Sequence, residues 1–160
     1  MEKPTEEELA PPIGFFLYAD SYWLGAKALL RLDLVVPHST APVYFLYHQA
    51  IELYLKAFLR LKDHTVAAIK GHRIIPLSKK VRKLGLDFDD EDIEIFGLLD
   101  SSDVVTTSRY LRVGFYSRPS LEGLERTCKS VRDLVAREMK LAGIRVRPLP
   151  TFSARPRRKS

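Results

Sequence analysis

Cysteine occurs once in this chain of 160 residues, glycine eight times and proline ten times. A single cysteine excludes a disulfide framework and a cysteine-built zinc site, and it fits a reducing compartment. So little glycine and proline excludes a collagen-like or low-complexity chain. A hydrophobic share of 46% excludes disorder throughout. No apolar run reaches the roughly 18 to 20 residues that a membrane span needs. The opening Met1-Glu-Lys-Pro-Thr-Glu-Glu-Glu is acidic and polar, unlike a secretory signal or a transit peptide. Gly-x₄-Gly-Lys-Ser/Thr, Gly-x-Gly-x-x-Gly and Gly-x-Ser-x-Gly are all missing, which removes the common nucleotide-fold and hydrolase signatures. These absences leave the expectation of one globular domain, cytoplasmic, with no membrane association and no cofactor.

The C-terminal end lacks acid. All twenty Asp and Glu lie in residues 1–143, beside twenty of the twenty-six Lys and Arg. Residues 144–160 hold the other six cations: Arg145, Arg147, Arg155, Arg157, Arg158 and Lys159. The body is therefore neutral, and the tail carries the net charge of +6 and the pI near 9.5. A nucleic-acid inference from overall charge thus applies to the tail. With Pro148, Pro150 and Pro156 and little periodicity, that tail is expected to be disordered. The expected organisation is an acidic flexible N-terminus over 1–12, a helical bundle over 13–143 and a basic disordered tail over 144–160.

Proline is also absent from 13–36, 43–75, 77–118 and 120–147, and helices avoid interior proline. Residues 13–34 read as a helix whose inward face carries Leu17, Ser21, Leu24, Ala28 and Leu32, with Ala19, Trp23, Ala26 and Leu30 adjoining. A second helix over about 43–62 follows Ser39 or Thr40 as cap and Pro42 in its first turn. It is apolar around most of its circumference, the mark of a central helix. Its polar residues His48, Glu52, Lys56 and Arg60 recur every four positions and form one stripe. Shorter helices are expected over 73–84, closed by Gly85, and from Asp89 or Asp90 onwards. A last one runs over 120–142, where Leu121, Leu124, Cys128, Val131, Val135, Met139 and Ala142 step by three and four before Gly143. No segment has a period of two. The fold class is all-α, a bundle of four or five helices.

Few patterns carry chemistry. An EF-hand loop starting at Asp87 would place Asp92 where glycine is needed and Leu98 where an acid is needed, so the acidic run reads as helix capping. Cys128 sits on an apolar stripe and reads as a buried small hydrophobe. His38, His48, His64 and His72 have no metal-ligand spacing. Two segments remain. The His48/Glu52/Lys56 stripe is either an ordinary i,i+4 pair with a boundary histidine, or the lining of a polar groove that meets a phosphate or a base. The stretch Thr106–Pro119 combines Arg109, Arg112 and Arg118 with Tyr110, Phe115 and Tyr116. Guanidinium groups pair with phosphate and aromatic faces stack on bases, although arginines also pair with acids inside bundles.

At these segments the chain resembles a HEPN domain, the helical family named for nucleotide binding in higher eukaryotes and prokaryotes. Tyr18-Ala-Asp-Ser-Tyr-Trp-Leu-Gly-Ala-Lys-Ala-Leu-Leu is similar to the first family helix. Phe45-Leu-Tyr-His-Gln-Ala-Ile-Glu-Leu-Tyr-Leu-Lys-Ala-Phe-Leu is similar to its most recognisable one, with Glu52 and Lys56 on the family's Glu-x₃-Lys. Gly71-His-Arg-Ile-Ile-Pro-Leu resembles the stretch that opens the next short helix, and Ser108-Arg-Tyr stands where many members have Arg-Tyr. The resemblance spans about 15–140. It implies a bundle that often dimerises, as a metal-independent ribonuclease of toxin–antitoxin or phage-defence systems or as a non-catalytic partner of a nucleotidyltransferase.

The family's ribonucleases use Arg-x₄₋₆-His, and this chain departs from that pattern. Five to seven residues after Arg109 stand Gly114, Phe115 and Tyr116; after Arg112 stand Ser117, Arg118 and Pro119. No histidine follows His72, so the proton carrier that strand scission needs near neutral pH is missing from that position. The expectation is a non-catalytic, cytoplasmic, prokaryotic homodimer that binds a nucleotide, an RNA or a nucleotidyltransferase-type partner. Arg109 and Arg112 would meet phosphate, Tyr110 would stack or support the site, and His48, Glu52 and Lys56 would line the groove. Two alternatives stand beside it: a ribonuclease with a rearranged site that borrows His48 or His72, and a dimerising scaffold with internally paired arginines.

Overall fold

The computed structural model describes residues 5–32, 35–102 and 117–151, and among them there are helices and no strands. A single turn of helix, α1 (Glu6–Leu9), leads into α2 (Pro12–Leu30), which starts where Pro11 and Pro12 fix the backbone. Then come α3 (Ala41–Lys62), a 3₁₀ turn (Val66–Ile69), α4 (Ile74–Lys83), α5 (Asp90–Ser101) and α6 (Leu121–Leu141). The all-α bundle expected from the sequence is therefore what the chain forms, with five helices of ten residues or more among the described residues.

α3 is the central helix: α2, α4 and α6 all pack on it. Its buried residues run from Val43 to Arg60 on nearly every side, as its apolar circumference requires. Thr40 stands at its N-cap without a side-chain cap bond. The entry is instead a tight turn in which the Ala41 amide donates to the His38 carbonyl (3.0 Å), with His38 at φ 60.

Most helix ends follow the sequence signals. Asp89 caps α5 by accepting from the Asp92 amide (2.7 Å), and Ser120 caps α6 by accepting from the Gly123 amide (3.0 Å). Gly85 at φ 96 and Gly143 at φ 82 end α4 and α6, a conformation that favours glycine. α4 has no local cap. Asp100 of α5 reaches across and accepts from the Ile74 and Ile75 amides, both at 2.8 Å.

Two expectations are corrected. α2 turns a different face inward: Phe15, Phe16, Ala19, Asp20, Trp23 and Ala26 are buried, while Leu17, Ser21 and Leu32 are exposed. The reason is Asp20, which packs inside because Tyr54 and Arg132 satisfy it. The Tyr54 hydroxyl donates at 2.5 Å, and Arg132 donates from Nε and NH2 at 2.7 and 3.1 Å. The helix also ends at Leu30, ahead of the β-branched pair Val35-Val36 and Pro37.

The second correction concerns the tail. Residues 144–151, expected to be disordered, run back along the bundle with Ile144, Val146 and Leu149 packed on the core. Arg132 NH2 donates to the Arg147 carbonyl (2.9 Å) and ties the strand of chain down. Residues 152–160 lie outside the described residues.

Candidate functional site

Four-residue spacing places His48, Glu52, Lys56 and Arg60 along one edge of α3. All four are buried, each no more than 6% exposed. The expected groove lining is thus the inside of the bundle at this edge. Glu52 Oε1 accepts from Lys56 Nζ at 2.8 Å, so the i,i+4 pair forms, but out of solvent. A buried carboxylate needs such compensation, because desolvating two charges is repaid only by good geometry. Arg60 donates to the His64 carbonyl at 2.7 Å. His48, Lys56 and Arg60 each have further partners as well.

The second donor to Glu52 comes from outside the helix. His72, in the turn before α4, places Nδ1 2.9 Å from the same Oε1. Its side chain is 71% exposed, against 2% for Glu52. With the carboxylate as acceptor, Nδ1 carries the proton, and in that tautomer Nε2 is the acceptor. The other carboxylate oxygen, Oε2, is 3.8 Å from His48 Nδ1, too far for a hydrogen bond. It accepts no hydrogen bond among the described residues.

Glu52 and His72 line a cleft of about 490 Å³ together with Gly14, Phe15, Tyr18 and Tyr22 of α2 and Gln49 and Leu53 of α3. Tyr18 and Tyr22 stand one turn apart on their helix. This volume lies within the range of small-molecule sites, and the lining has their usual composition, apolar and aromatic with a few convergent polar groups. Tyrosine faces stack on planar rings, the imidazole Nε2 accepts from an N–H or O–H, and the Gln49 amide can donate and accept.

Of the three α3 residues expected to line a groove, Glu52 lines this cleft, whereas His48 and Lys56 do not. The sequence places His72 in a family-like stretch but outside the expected binding set, and it singles out neither Gln49 nor the i,i+4 pair Tyr18 and Tyr22 as site residues. Arg109, Tyr110 and Arg112 lie outside the described residues. Arg118, at the end of the same stretch, holds its guanidinium 5.1 Å from the centre of the Tyr44 ring.

A second polar centre lies on the other side of α3. Glu125 of α6 accepts from Trp23 Nε1 (2.7 Å), the Tyr47 hydroxyl (2.7 Å) and Lys27 Nζ (2.9 Å). Burial pushes its carboxyl up, but these three donors outweigh burial and hold it below the usual carboxylate range. Burial also pushes the Tyr47 and Tyr54 hydroxyls far up, so both stay protonated donors. Cys128 is buried and its thiol is raised well above the ordinary value by that burial, which leaves it inert. Among the described residues no group of three His, Cys, Asp or Glu could hold a metal ion, and no helix is long and apolar enough to cross a membrane.

A family model described as HEPN domain matches residues 25–140, which includes α3, the His72 turn and all but the last residue of α6. No curated protein and no solved structure matches the chain.

Proposed function

The chain belongs to the HEPN family, and on that premise we propose that it is a nucleotide- or RNA-binding module whose base-binding site is the Tyr18/Tyr22/His72 cleft. One observation carries this reading: an exposed imidazole, fixed by a buried carboxylate, at the mouth of a cleft walled by tyrosines. A base enters between the aromatic faces, where stacking contributes about 1–3 kcal/mol per base. His72 Nε2 accepts from an N–H on the base edge, and the Gln49 amide reads that edge or donates to a phosphate. Glu52 and Lys56 act from beneath, as a fixed acceptor and its neutralising cation. Arg109 and Arg112 are assigned to phosphate and Tyr110 to stacking or support, as the sequence suggested. The module works without catalysis of its own, in the cytoplasm of a prokaryote, as a homodimer with a nucleotidyltransferase-type or antitoxin partner.

The test is a titration of the full chain against labelled single-stranded RNA, followed on a denaturing gel. The expected result is saturable binding of intact RNA, weakened about five- to a hundredfold in Tyr22→Ala, the equivalent of one lost stacking contact. Binding that Tyr22→Ala leaves unchanged would contradict the site.

The Glu52–His72 geometry favours a second reading, a metal-independent ribonuclease that uses a histidine outside the family's motif. The 2′-hydroxyl would attack the adjacent phosphorus and pass its proton to His72 Nε2. The P–O5′ bond would break, with its oxygen taking a proton from solvent. Cleavage products ending in a 2′,3′-cyclic phosphate, absent with His72→Ala, would establish this reading in place of the first.

A further inference from the structure

The neutral body is not neutral everywhere. Residues 62–85 hold seven Lys and Arg and one acid, Asp63, while residues 86–102 hold seven acids and no Lys or Arg. The structure treats the two runs differently. Five of the seven acids (Asp87, Asp89, Glu91, Asp92 and Asp100) are paired within the molecule, while Asp90 and Glu94 are exposed without a side-chain partner among the described residues. Arg126 reaches Glu91 at 2.9 Å and Asp89 and Asp92 at 3.3 Å, Asp92 also accepts from Ser130, and Asp100 caps α4.

Of the cations, Lys62 pairs with Glu138, Lys80 donates to the carbonyls of 67, 68 and 70, and Arg82 pairs with Asp87. Lys70, Lys79 and Lys83 are exposed, and their side chains have no partner among the described residues. Arg73 is 73% exposed and stands 3.9 Å from Asp100.

These four positions have a direction. α4 buries Ile74, Leu77, Ser78 and Val81, which leaves Lys79 and Lys83, one turn apart, on its outer side. Lys70 and Arg73 flank His72, the residue at the mouth of the cleft. At a rise of 1.5 Å per residue, the ridge from Arg73 to Lys83 is about 15 Å long.

We propose that this ridge is a phosphate track and that the ligand is a single strand of RNA, with one base in the cleft and its backbone along α4. The placement of the base rests on the function proposed above; the track rests on charge and exposure alone. An acidic protein fits this surface less well. Protein interfaces deplete lysine and need apolar anchors at their centre, and the outer side of α4 offers lysines and Pro76. Phosphate contacts use exposed Lys and Arg of this kind and fix orientation without reading sequence.

The test uses the full chain with a fluorescein-labelled twelve-residue oligouridylate, titrated over a range of salt, and calorimetry with uridine monophosphate. Lys79→Gln/Lys83→Gln is compared with Arg137→Gln/Lys140→Gln, which removes two exposed charges elsewhere, on α6. A third variant replaces Arg155, Arg157, Arg158 and Lys159 by glutamine to remove the tail's contribution. The ridge variant is expected to lower the slope of log K against log salt by about 1.4, which is 0.7 for each lost phosphate contact on a single strand. It should weaken the oligonucleotide about five- to tenfold at low salt and leave the mononucleotide within about twofold.

An unchanged slope in the ridge variant would overturn the track, as would an equal drop in the α6 variant. So would competition by polyglutamate of matched charge as effective as by RNA, which would assign the ridge to an acidic protein. A lysine-dependent slope without mononucleotide binding would keep the track and remove the cleft reading.

Discussion

Glu125 and Glu52 are both carboxylates drawn into the bundle, and they are satisfied in opposite ways. Glu125 keeps more than a third of its side chain exposed and still receives three donors, from Trp23, Lys27 and Tyr47, spread over both oxygens. Glu52 is almost wholly buried, yet both of its donors share one oxygen and the other accepts none among the described residues. One of those donors is an exposed histidine on a turn. A centre that only holds helices together is expected to close its hydrogen bonds internally, as Glu125 and Asp20 do. An acceptor left over beside a cleft, with a fixed imidazole at the rim, is an arrangement prepared for something else.

The comparison can be broken first at its structural side. Asp20→Asn leaves Arg132 buried without its counter-charge and should cost about 3–5 kcal/mol in a denaturant titration. A change near zero would mean that Asp20 is not the anchor of α2. Glu125→Gln should cost less, about 1–3 kcal/mol, for hydrogen bonds that an amide cannot reproduce in full. It also sharpens the contrast with pH. The Glu125 carboxyl is depressed in the folded chain. Its contribution is therefore present above the unfolded carboxylate value of about 4.3 and is lost as pH falls below it. Thermal melts of Glu125→Gln should accordingly lose part of their decline in acid, and an unchanged decline would refute that assignment. The smallest stability effect belongs to Tyr22→Ala, whose ring is half-buried at the cleft and whose loss should appear in binding.

The same contrast explains what could be read from the sequence. Contacts within one helix were legible: the His48/Glu52/Lys56 stripe follows from a spacing of four, and Asp89, Gly85 and Gly143 mark helix ends where the structure has them. Contacts between distant helices were not. Asp20 meets Arg132 across 112 positions, a contact that periodicity within α2 does not contain, and the apolar pattern alone put exposed Leu17 on the inward face. His72 was visible as a residue, but its bond to Glu52 depends on how the turn after α3 folds back. The packed run 144–151 was missed because a charged, proline-bearing segment has no periodicity even when three of its apolar side chains lie on a core. Residues 109–112, where the sequence placed the phosphate contacts, lie outside the described residues.

The most direct test watches both carboxylate centres in one sample. The chain has one tryptophan, so its indole N–H signal reports the Glu125 centre without overlap, and the His72 ring Cε1–H signal reports the cleft. Both are followed by NMR as a mononucleotide is added. A saturable shift of the His72 signal and of the Tyr18 and Tyr22 ring signals is expected, with the Trp23 signal unmoved. A His72 signal that stays fixed while Trp23 shifts would place the ligand at Glu125 and contradict the assignment of the Glu52–His72 cleft as the binding site.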